Sequence, residues 1–381
     1  MSSIMGKRRV KRRGSGWLGR GCWLRWGVLG LLVGAGWVVG CRSASPSATR
    51  PVPGPSGVAS WTPPMHRFPP AAAAVVPGTP TPRFGDEIVV AGQRFRTGTP
   101  VVLWTDPGGY DAYRVDKRFS DFDKRQAGDW GEKAGNPQRY NLRDHGLSPA
   151  EVESHRGGDW TLPEMQQVVD QFVIHYDVCG TSRYCFEVLH DHRHLSVHFM
   201  LDVDGTIYQT LDLKERAWHA GGANSRSVGI EIANIGAYSA AEDKPWDRWY
   251  TRDASGRATL TIPLEIDRRS VRTPDFTGHP RRDALVTGVI NGRSLEQYDL
   301  TEPQYVALAH LSATLHRVLP KIELQAPRDA SGRVIDHALD DEAQADYHGL
   351  IGHYHITRGK VDPGPAFDWD RVIDDARELL R

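Results

Sequence analysis

The sequence GHYHITRGKVDPGPAFDW, residues 352–369, joins a short apolar run to a charged loop and then to the last helical pattern of the chain. It places His353, His355, Lys360 and Asp362 within ten residues, and the Pro and Gly residues that follow prevent a helix from continuing. Two imidazoles, an ammonium group and a carboxylate are costly to bury unless they pair or bind a metal. Taken alone, the stretch is more typical of a solvated surface loop, so any other role depends on residues elsewhere.

Strands and helices mix along the chain from residue 161 onwards. The apolar run Phe172–Tyr176 predicts a buried strand that ends near His175. In SVGIEIAN, residues 227–234, apolar residues alternate, so Glu231 is predicted to point away from the apolar face. Asp204-Gly205 between two apolar segments predicts a hairpin, and the ligand positions that a calcium loop would need there are missing.

The other predicted elements complete this pattern. Two short strands around a Gly-Thr-Pro turn are expected within 88–104. Helices are predicted at 161–169, 182–190, 301–319 and 369–380, and strands at 195–201, 206–211 and 348–353. This mixture predicts one α/β layer domain.

Composition narrows the class of protein. The chain has 381 residues, of which 39% are hydrophobic, enough for one large or two small cores. Its formal net charge is zero, but the first 40 residues hold eight Lys or Arg and no acidic residue. The remainder therefore has 39 basic and 47 acidic residues, a net charge of −8. We expect no nucleic-acid partner.

The N-terminus has the pattern of an export signal. A basic region precedes Gly27–Gly40, an apolar segment that is too short to span a bilayer and is typical of a signal-peptide core. The residues before Cys41 resemble the lipobox of bacterial lipoproteins, so we expect a signal peptide at 1–40 and lipidation of Cys41; in the alternative, an ordinary signal peptide, Cys41 is incidental. A Pro/Ala-rich tether follows at 41–83. Arg42 follows Cys41 in place of the Asp that often signals retention at the inner membrane. We therefore expect the protein to be anchored at the outer membrane and to face the periplasm.

Two cysteines remain after the signal peptide and the lipidated residue are set aside. Cys179 and Cys185 form an even pair, close in sequence, in a chain expected to be exported. Such a pair is typical of a disulfide, which would fix the turn after His175. A zinc role for the pair is less favoured, since no second Cys pair would complete four ligands.

Several residues have the chemistry of a hydrolytic zinc site. Such a site uses three protein ligands, commonly two His and a carboxylate, with an open position for water. His175, His353 and Asp362 could supply the ligands, while Glu231 takes a proton and Lys360 holds the developing oxyanion. The chain has 16 His, and the cluster HDHRHLSVH offers rivals, so spacing alone leaves the ligand set open.

Four blocks carry a family resemblance. FVIHYD, SVHFMLDVDGTIYQ, RAWHAGGANSRSVGIEIAN and GHYHITRGKVDPGPAFDW occur in this order and resemble the signature blocks of the zinc-dependent N-acetylmuramoyl-L-alanine amidases, which share a fold with the peptidoglycan-recognition proteins. The resemblance runs from Phe172 to Trp369 and is interrupted by an insertion at 237–300. It implies a central mixed β-sheet flanked by helices, and hydrolysis of the amide between N-acetylmuramic acid and L-alanine in peptidoglycan or muropeptides.

The resemblance also implies roles for individual residues. The Cys179–Cys185 pair resembles a disulfide of peptidoglycan-recognition proteins. His355 stands where an acidic residue is common in the family, which leaves open whether His353 or His355 is the second His ligand. For His198 and His219 a structural role is equally open. The implied roles are zinc ligands for His175, His353 and Asp362, the base for Glu231, the oxyanion partner for Lys360, and substrate contacts for His198, His219 and Asn234.

These expectations define a domain plan and a rival function. Residues 84–160 are expected to form a lead-in segment that packs on the catalytic domain, and residues 161–381 an amidase domain with the insertion at 237–300. We expect a monomer that contacts peptidoglycan through its site and a membrane through its lipid. The rival is a peptidoglycan-binding lipoprotein without catalytic activity.

Overall fold

The computed structural model describes residues 82–119, 139–156, 158–263, 266 and 270–381. The chain divides into two compact units, Met1–Val76 and Pro77–Arg381, and every described residue belongs to the second. The expected signal peptide, Cys41 and the tether up to residue 81 lie outside the described residues. In the described part, no helix combines the length and apolarity needed to cross a membrane.

The described residues form fifteen strands and eight α-helices. The strands are β1 Glu87–Val90, β2 Gln93–Arg96, β3 Val101–Leu103, β4 Tyr140–Asn141, β5 Gln171–Tyr176, β6 Phe199–Leu201, β7 Ile207–Gln209, β8 Arg216–Ala217, β9 Ser227–Ile232, β10 Ala237–Tyr238, β11 Tyr250–Arg252, β12 Ala258–Leu260, β13 Val286–Ile290, β14 Arg293–Gln297 and β15 Gly349–Gly352. The helices are α1 Pro149–Ser154, α2 Leu162–Val168, α3 Ser182–Phe186, α4 Trp246–Trp249, α5 Glu302–Val318, α6 Asp341–Asp346, α7 His353–Ile356 and α8 Trp369–Glu378. A π-helical turn at Glu187–His192 and a 3₁₀ turn at Gly221–Ala223 complete them.

A six-stranded sheet in the order β15-β5-β9-β6-β7-β3 forms the centre of the fold. β15, β5, β9 and β6 are parallel to one another, β6 and β7 pair antiparallel, and β7 pairs parallel with β3. The sheet is therefore mixed, and the predicted α/β class with a central mixed sheet is confirmed.

One face of the sheet carries the main apolar core. Along β5, Phe172 and Ile174 are fully buried in the same cluster as residues of α2, α5 and α8. Because side chains alternate along a strand, Val173 and His175 face the opposite side. α5 begins at Thr301, whose hydroxyl accepts the Gln304 N–H, as its predicted N-cap position requires.

Part of the lead-in segment belongs to the central sheet itself. β3 forms its edge, and β1 and β2 form a separate hairpin around Ala91 and Gly92. The sequence predicts two strands in this region, whereas three are present. The missed turn has Ala91 at φ +49°, and alanine carries no signal for a left-handed turn position.

The end of the lead-in segment supports the other face. β4 pairs antiparallel with β8, which precedes the loop that carries His219. The Arg143 guanidinium is fully buried and donates to the carbonyl oxygens of Leu213, Ser225 and Ser227 at 2.8–3.0 Å. A buried cation needs such partners, so Arg143 ties the lead-in segment to this loop.

The insertion forms its own small sheets beside the central one. β10, β14 and β13 make a three-stranded antiparallel sheet, and β11 and β12 form a hairpin. β10 begins shortly after β9, so this sheet starts at the end of a central strand.

Candidate active site

Three side chains converge at the carboxyl ends of β5 and β15 in the central sheet. His175 lies in β5, His353 follows β15 as the first residue of α7, and Asp362 follows in the same loop. The His175 Nδ1 and His353 Nδ1 atoms are 3.0 Å apart, and each lies 2.9 Å from Asp362 Oδ2. All three side chains are buried. Among the His, Cys, Asp and Glu side chains of the described residues, these three lie close enough together to share one metal ion.

The topology explains this convergence. β15 and β5 are parallel neighbours, with Gly352 opposite Ile174. His175 and His353 therefore lie side by side at the carboxyl ends of these two strands. The loop returns Asp362 to this point, and its carbonyl oxygen accepts the Tyr354 N–H at 3.1 Å. A Cβ atom at Gly352 would lie 2.9 Å from Pro363 Cδ, so a glycine permits the close return of the loop.

The geometry and protonation states of these residues fit a zinc ion. Ligands at about 2.0–2.1 Å in a tetrahedral site lie roughly 3.3 Å apart, close to the observed separations. Burial and the neighbouring His353 lower the pKa of His175 to about 4. Burial alone would raise the pKa of Asp362, but His353 and His175 hold it well below its usual range. A neutral imidazole and an ionised carboxylate are the forms that bind metal.

His355 takes part in a different set of contacts. Its Nε2 lies 2.7 Å from the Ile335 carbonyl oxygen, and its Nδ1 accepts the Gly352 N–H at 3.0 Å. Both ring nitrogens are thus engaged by the backbone, and burial lowers the pKa of this imidazole to about 3. The structure therefore places His353, and not His355, in the His/His/Asp cluster.

Glu231 lies beside the cluster on the neighbouring strand. In the parallel pairing of β5 and β9 it is opposite His175, and it lines the same cavity, of about 160 Å³. Glu231 Oε2 is buried and accepts no hydrogen bond within the described part of the chain. Burial, with the charges of Asp362 and Asp177, raises the pKa of Glu231 well above its usual value. A carboxylate with a raised pKa is suited to accept a proton.

His219 contacts the cluster through the His175 ring nitrogen that does not face His353 and Asp362. Its Nδ1 lies 3.0 Å from His175 Nε2, and its ring covers Gly229, where a Cβ atom would lie only 2.5 Å from the imidazole. A hydrogen bond to the second nitrogen of a metal-binding His orients the ring. His219 also lines the cavity, so the predicted substrate contact and this orienting contact are compatible.

Two other residues predicted as substrate contacts lie elsewhere. His198 is fully buried; its Nδ1 accepts the Gly229 N–H at 3.1 Å and its Nε2 lies 2.9 Å from the Glu215 carbonyl oxygen. Asn234 donates to the Tyr298 carbonyl at 3.1 Å and is also buried. Neither lines the cavity. Their polar atoms are engaged by the backbone and by the side chains of Arg143 and Gln297, so neither is proposed as a substrate contact.

The predicted oxyanion partner Lys360 lines the cavity. The cavity also contains residues to which the sequence assigned no role, namely Arg193, Trp218 and Asp177. Asp177 Oδ1 accepts the N–H groups of Cys179, Gly180 and Asn234 at 2.9–3.1 Å, and burial raises its pKa to about 7. In the sequence, Asp177 lies two residues after His175, at the end of a predicted strand. This position could have identified Asp177 as a residue of the site.

Cys179 and Cys185 are both buried and are present as thiols. They lie within hydrogen-bonding contact of each other, and burial together with this contact raises the pKa of Cys185 well above its usual value. The disulfide therefore stays a prediction, which a comparison of the protein mass with and without reductant would test.

Comparison with family models assigns the chain to a known family. The model of a family described as N-acetylmuramoyl-L-alanine amidase matches residues 165–365. No curated protein sequence shows significant similarity to the chain. Solved structures with detectable likeness include a selenomethionine derivative of AmpD, at 17% identity over 62% of this chain and 89% of that one, with a TM-score of 0.28.

Two further structures are similar at the same low level. AmpDh3 from Pseudomonas aeruginosa, in complex with an anhydromuramic pentapeptide, is 18% identical over 54% of this chain and 59% of that one, with a TM-score of 0.31. AmiD from E. coli, in complex with anhydro-N-acetylmuramic acid-L-Ala-D-gamma-Glu-L-Lys, is 17% identical over 54% of this chain and 57% of that one, with a TM-score of 0.29. The family assignment depends on the sequence match alone.

Proposed function

Because the chain belongs to the N-acetylmuramoyl-L-alanine amidase family, we propose that it is a zinc-dependent enzyme acting on peptidoglycan or its muropeptide fragments. It hydrolyses the amide bond between the lactyl group of N-acetylmuramic acid and L-alanine. The observation that carries the zinc dependence is the His175–His353–Asp362 cluster, whose three ligand atoms lie 2.9–3.0 Å apart. The cluster lines the same cavity as Glu231 and Lys360.

The mechanism divides the work among the residues of this cavity. When bound, a zinc ion polarises the scissile carbonyl and makes water a better nucleophile. Glu231 accepts a proton from the attacking water and delivers it to the amide nitrogen as the C–N bond breaks. The products are a carboxylate on the lactyl group and the free amine of L-alanine. Lys360 stabilises the negative charge that develops on the carbonyl oxygen.

Product analysis tests this proposal directly. Purified protein is incubated with intact sacculi and, separately, with soluble muropeptides, and the products are identified by mass spectrometry. We expect the release of free stem peptides that begin with L-alanine. A chelator should abolish this release, and added zinc should restore it. The substrate from which peptides are released faster identifies the physiological substrate class. Binding to murein without release of peptides would contradict catalysis and favour the non-catalytic peptidoglycan-binding lipoprotein.

We also propose that the protein is exported and anchored by lipid on Cys41, at the outer membrane facing the periplasm. The lipobox-like residues and the Pro/Ala-rich tether support this, and two or more acyl chains would hold the protein stably at a membrane. In cells fed a labelled fatty acid, the full chain is expected to take up label and to sediment with outer membranes. A C41S variant should be unlabelled. Equal labelling of both proteins would contradict the anchor.

A further inference from the structure

The β13–β14 hairpin of the insertion reaches the loop that carries His353, Lys360 and Asp362. The two strands are joined by Asn291 and Gly292, with φ values of +48° and +75°. Two successive positive φ values define the tight turn that suits the twist of a hairpin, and Asn-Gly is its preferred sequence. This turn places the Asn291 side chain at the tip of the hairpin.

Asn291 joins the two arms of the loop. Its Nδ2 donates to the carbonyl oxygens of Lys360 at 2.8 Å and Tyr354 at 3.2 Å, which uses both N–H groups of the amide. A third carbonyl oxygen, of Thr357, is at the limiting distance of 3.5 Å. On its other side, Asn291 Oδ1 accepts the Ala338 N–H at 2.8 Å.

Gln297, at the other end of β14, makes a second connection. Its Nε2 donates to Asn234 Oδ1 and to the Pro363 carbonyl, both at 3.1 Å, and its Oε1 accepts the Ala366 N–H at 3.0 Å. Gln297 is 1% exposed. Asn234 follows β9, the strand of Glu231, and Pro363 follows Asp362, so Gln297 connects the two halves of the site.

The backbone of Lys360 depends on these contacts. Residues 357–359 are exposed, and the Lys360 N–H bonds to the Thr357 carbonyl at 2.9 Å within the same turn. The bond from Asn291 ties this turn to a different element of the fold. An ammonium group that stabilises developing charge must be held in place before the reaction, since placement errors of about 1 Å are costly.

We propose that the hairpin is the positioning element of the site, with Asn291 as the residue that sets the backbone of Lys360. The role of Lys360 in this inference rests on the proposed function. That the hydrogen bonds of Asn291 stabilise the loop is a separate claim, which does not depend on that function. The inference assigns a role to the insertion at 237–300, namely to support the loop of His353, Lys360 and Asp362 from outside the central sheet.

The test compares Asn291→Gly with the wild-type protein. Glycine accepts the positive φ of the turn, so the substitution removes the amide and keeps the hairpin. Hydrogen exchange in peptides covering 353–362 is expected to become faster, and kcat for stem-peptide release to fall about 10- to 100-fold, with little change in KM. The matched control is Ser255→Gly in the turn between β11 and β12, where Ser255 bonds to Asp253 within its own turn; it should change neither quantity.

A double variant asks whether Asn291 acts through Lys360. In a Lys360→Ala background, the further substitution Asn291→Gly is expected to cause no additional loss of kcat, because the positioned group is already gone. Independent, multiplying losses would overturn the positioning role, as would an unchanged kcat in Asn291→Gly itself.

The exchange measurement keeps the two proposals apart. If wild-type protein releases no stem peptide, the proposed function fails, and exchange alone decides whether the hairpin holds the loop. Unchanged exchange across 353–362 in Asn291→Gly would overturn the inference even in an active enzyme. Should that variant fold poorly, Asn291→Asp removes the same donors while it retains the Oδ1 acceptor and a residue that tolerates the turn.

Discussion

Replacing Glu231 with Gln is expected to lower kcat for release of stem peptides about a thousandfold, within the range of general-base catalysis. Gln has nearly the same size and shape, but its amide cannot take a proton from the attacking water. Glu231 lies opposite His175 in the sheet and is not one of the three clustered ligands. The variant should therefore keep its fold and its zinc content, which thermal unfolding and metal analysis would show beside the initial rates.

A suitable control removes a half-buried carboxylate outside the cavity. Glu215 is half-buried, burial raises its pKa, and it accepts a hydrogen bond from the Tyr113 hydroxyl at 3.1 Å. Glu215→Gln makes the same chemical change without touching the cavity and should retain nearly full kcat. If Glu231→Gln kept more than a tenth of the wild-type rate, Glu231 would not be the proton acceptor.

Much of the fold follows from patterns that lie within single segments. Alternation in SVGIEIAN predicts the face of Glu231, and Thr301, a residue type that favours the N-cap, predicts the start of α5, because both depend on local geometry. The register that brings Glu231 opposite His175 is different, since it depends on which strands pair. The family resemblance implied only that Glu231 and His175 share a site, which spacing among 16 His could not show; the register itself comes from the structure.

Two residues of the family blocks show what a motif leaves out. His198 and Asn234 belong to family blocks, yet in the structure their polar atoms bind the Glu215 and Tyr298 carbonyls. A motif records that a polar residue is present, and only the packed structure shows whether its partner is backbone or solvent. Contacts between Asn291 and Lys360 are likewise invisible in sequence, because the two residues are 69 positions apart.

The second large effect concerns zinc and distinguishes His353 from His355. Zinc at a thousandfold excess over its Kd is expected to stabilise the metal-stripped protein by about 4 kcal/mol, because it binds the folded state alone. Thermal unfolding with and without zinc measures this increment, and metal analysis should find one ion per chain. His353→Ala removes one of the three clustered ligands, so the increment should disappear.

His355→Ala should behave in the opposite way. It removes the acceptor of the Gly352 N–H and the contact with the Ile335 carbonyl, and leaving such a buried group unpaired costs about 1–3 kcal/mol. The metal-stripped variant is therefore expected to unfold at a lower temperature than the wild type, yet to gain stability on addition of zinc because all three clustered ligands remain. If His355→Ala lost the zinc increment and His353→Ala kept it, His355 would be the ligand, and the loop would have to rearrange around the metal.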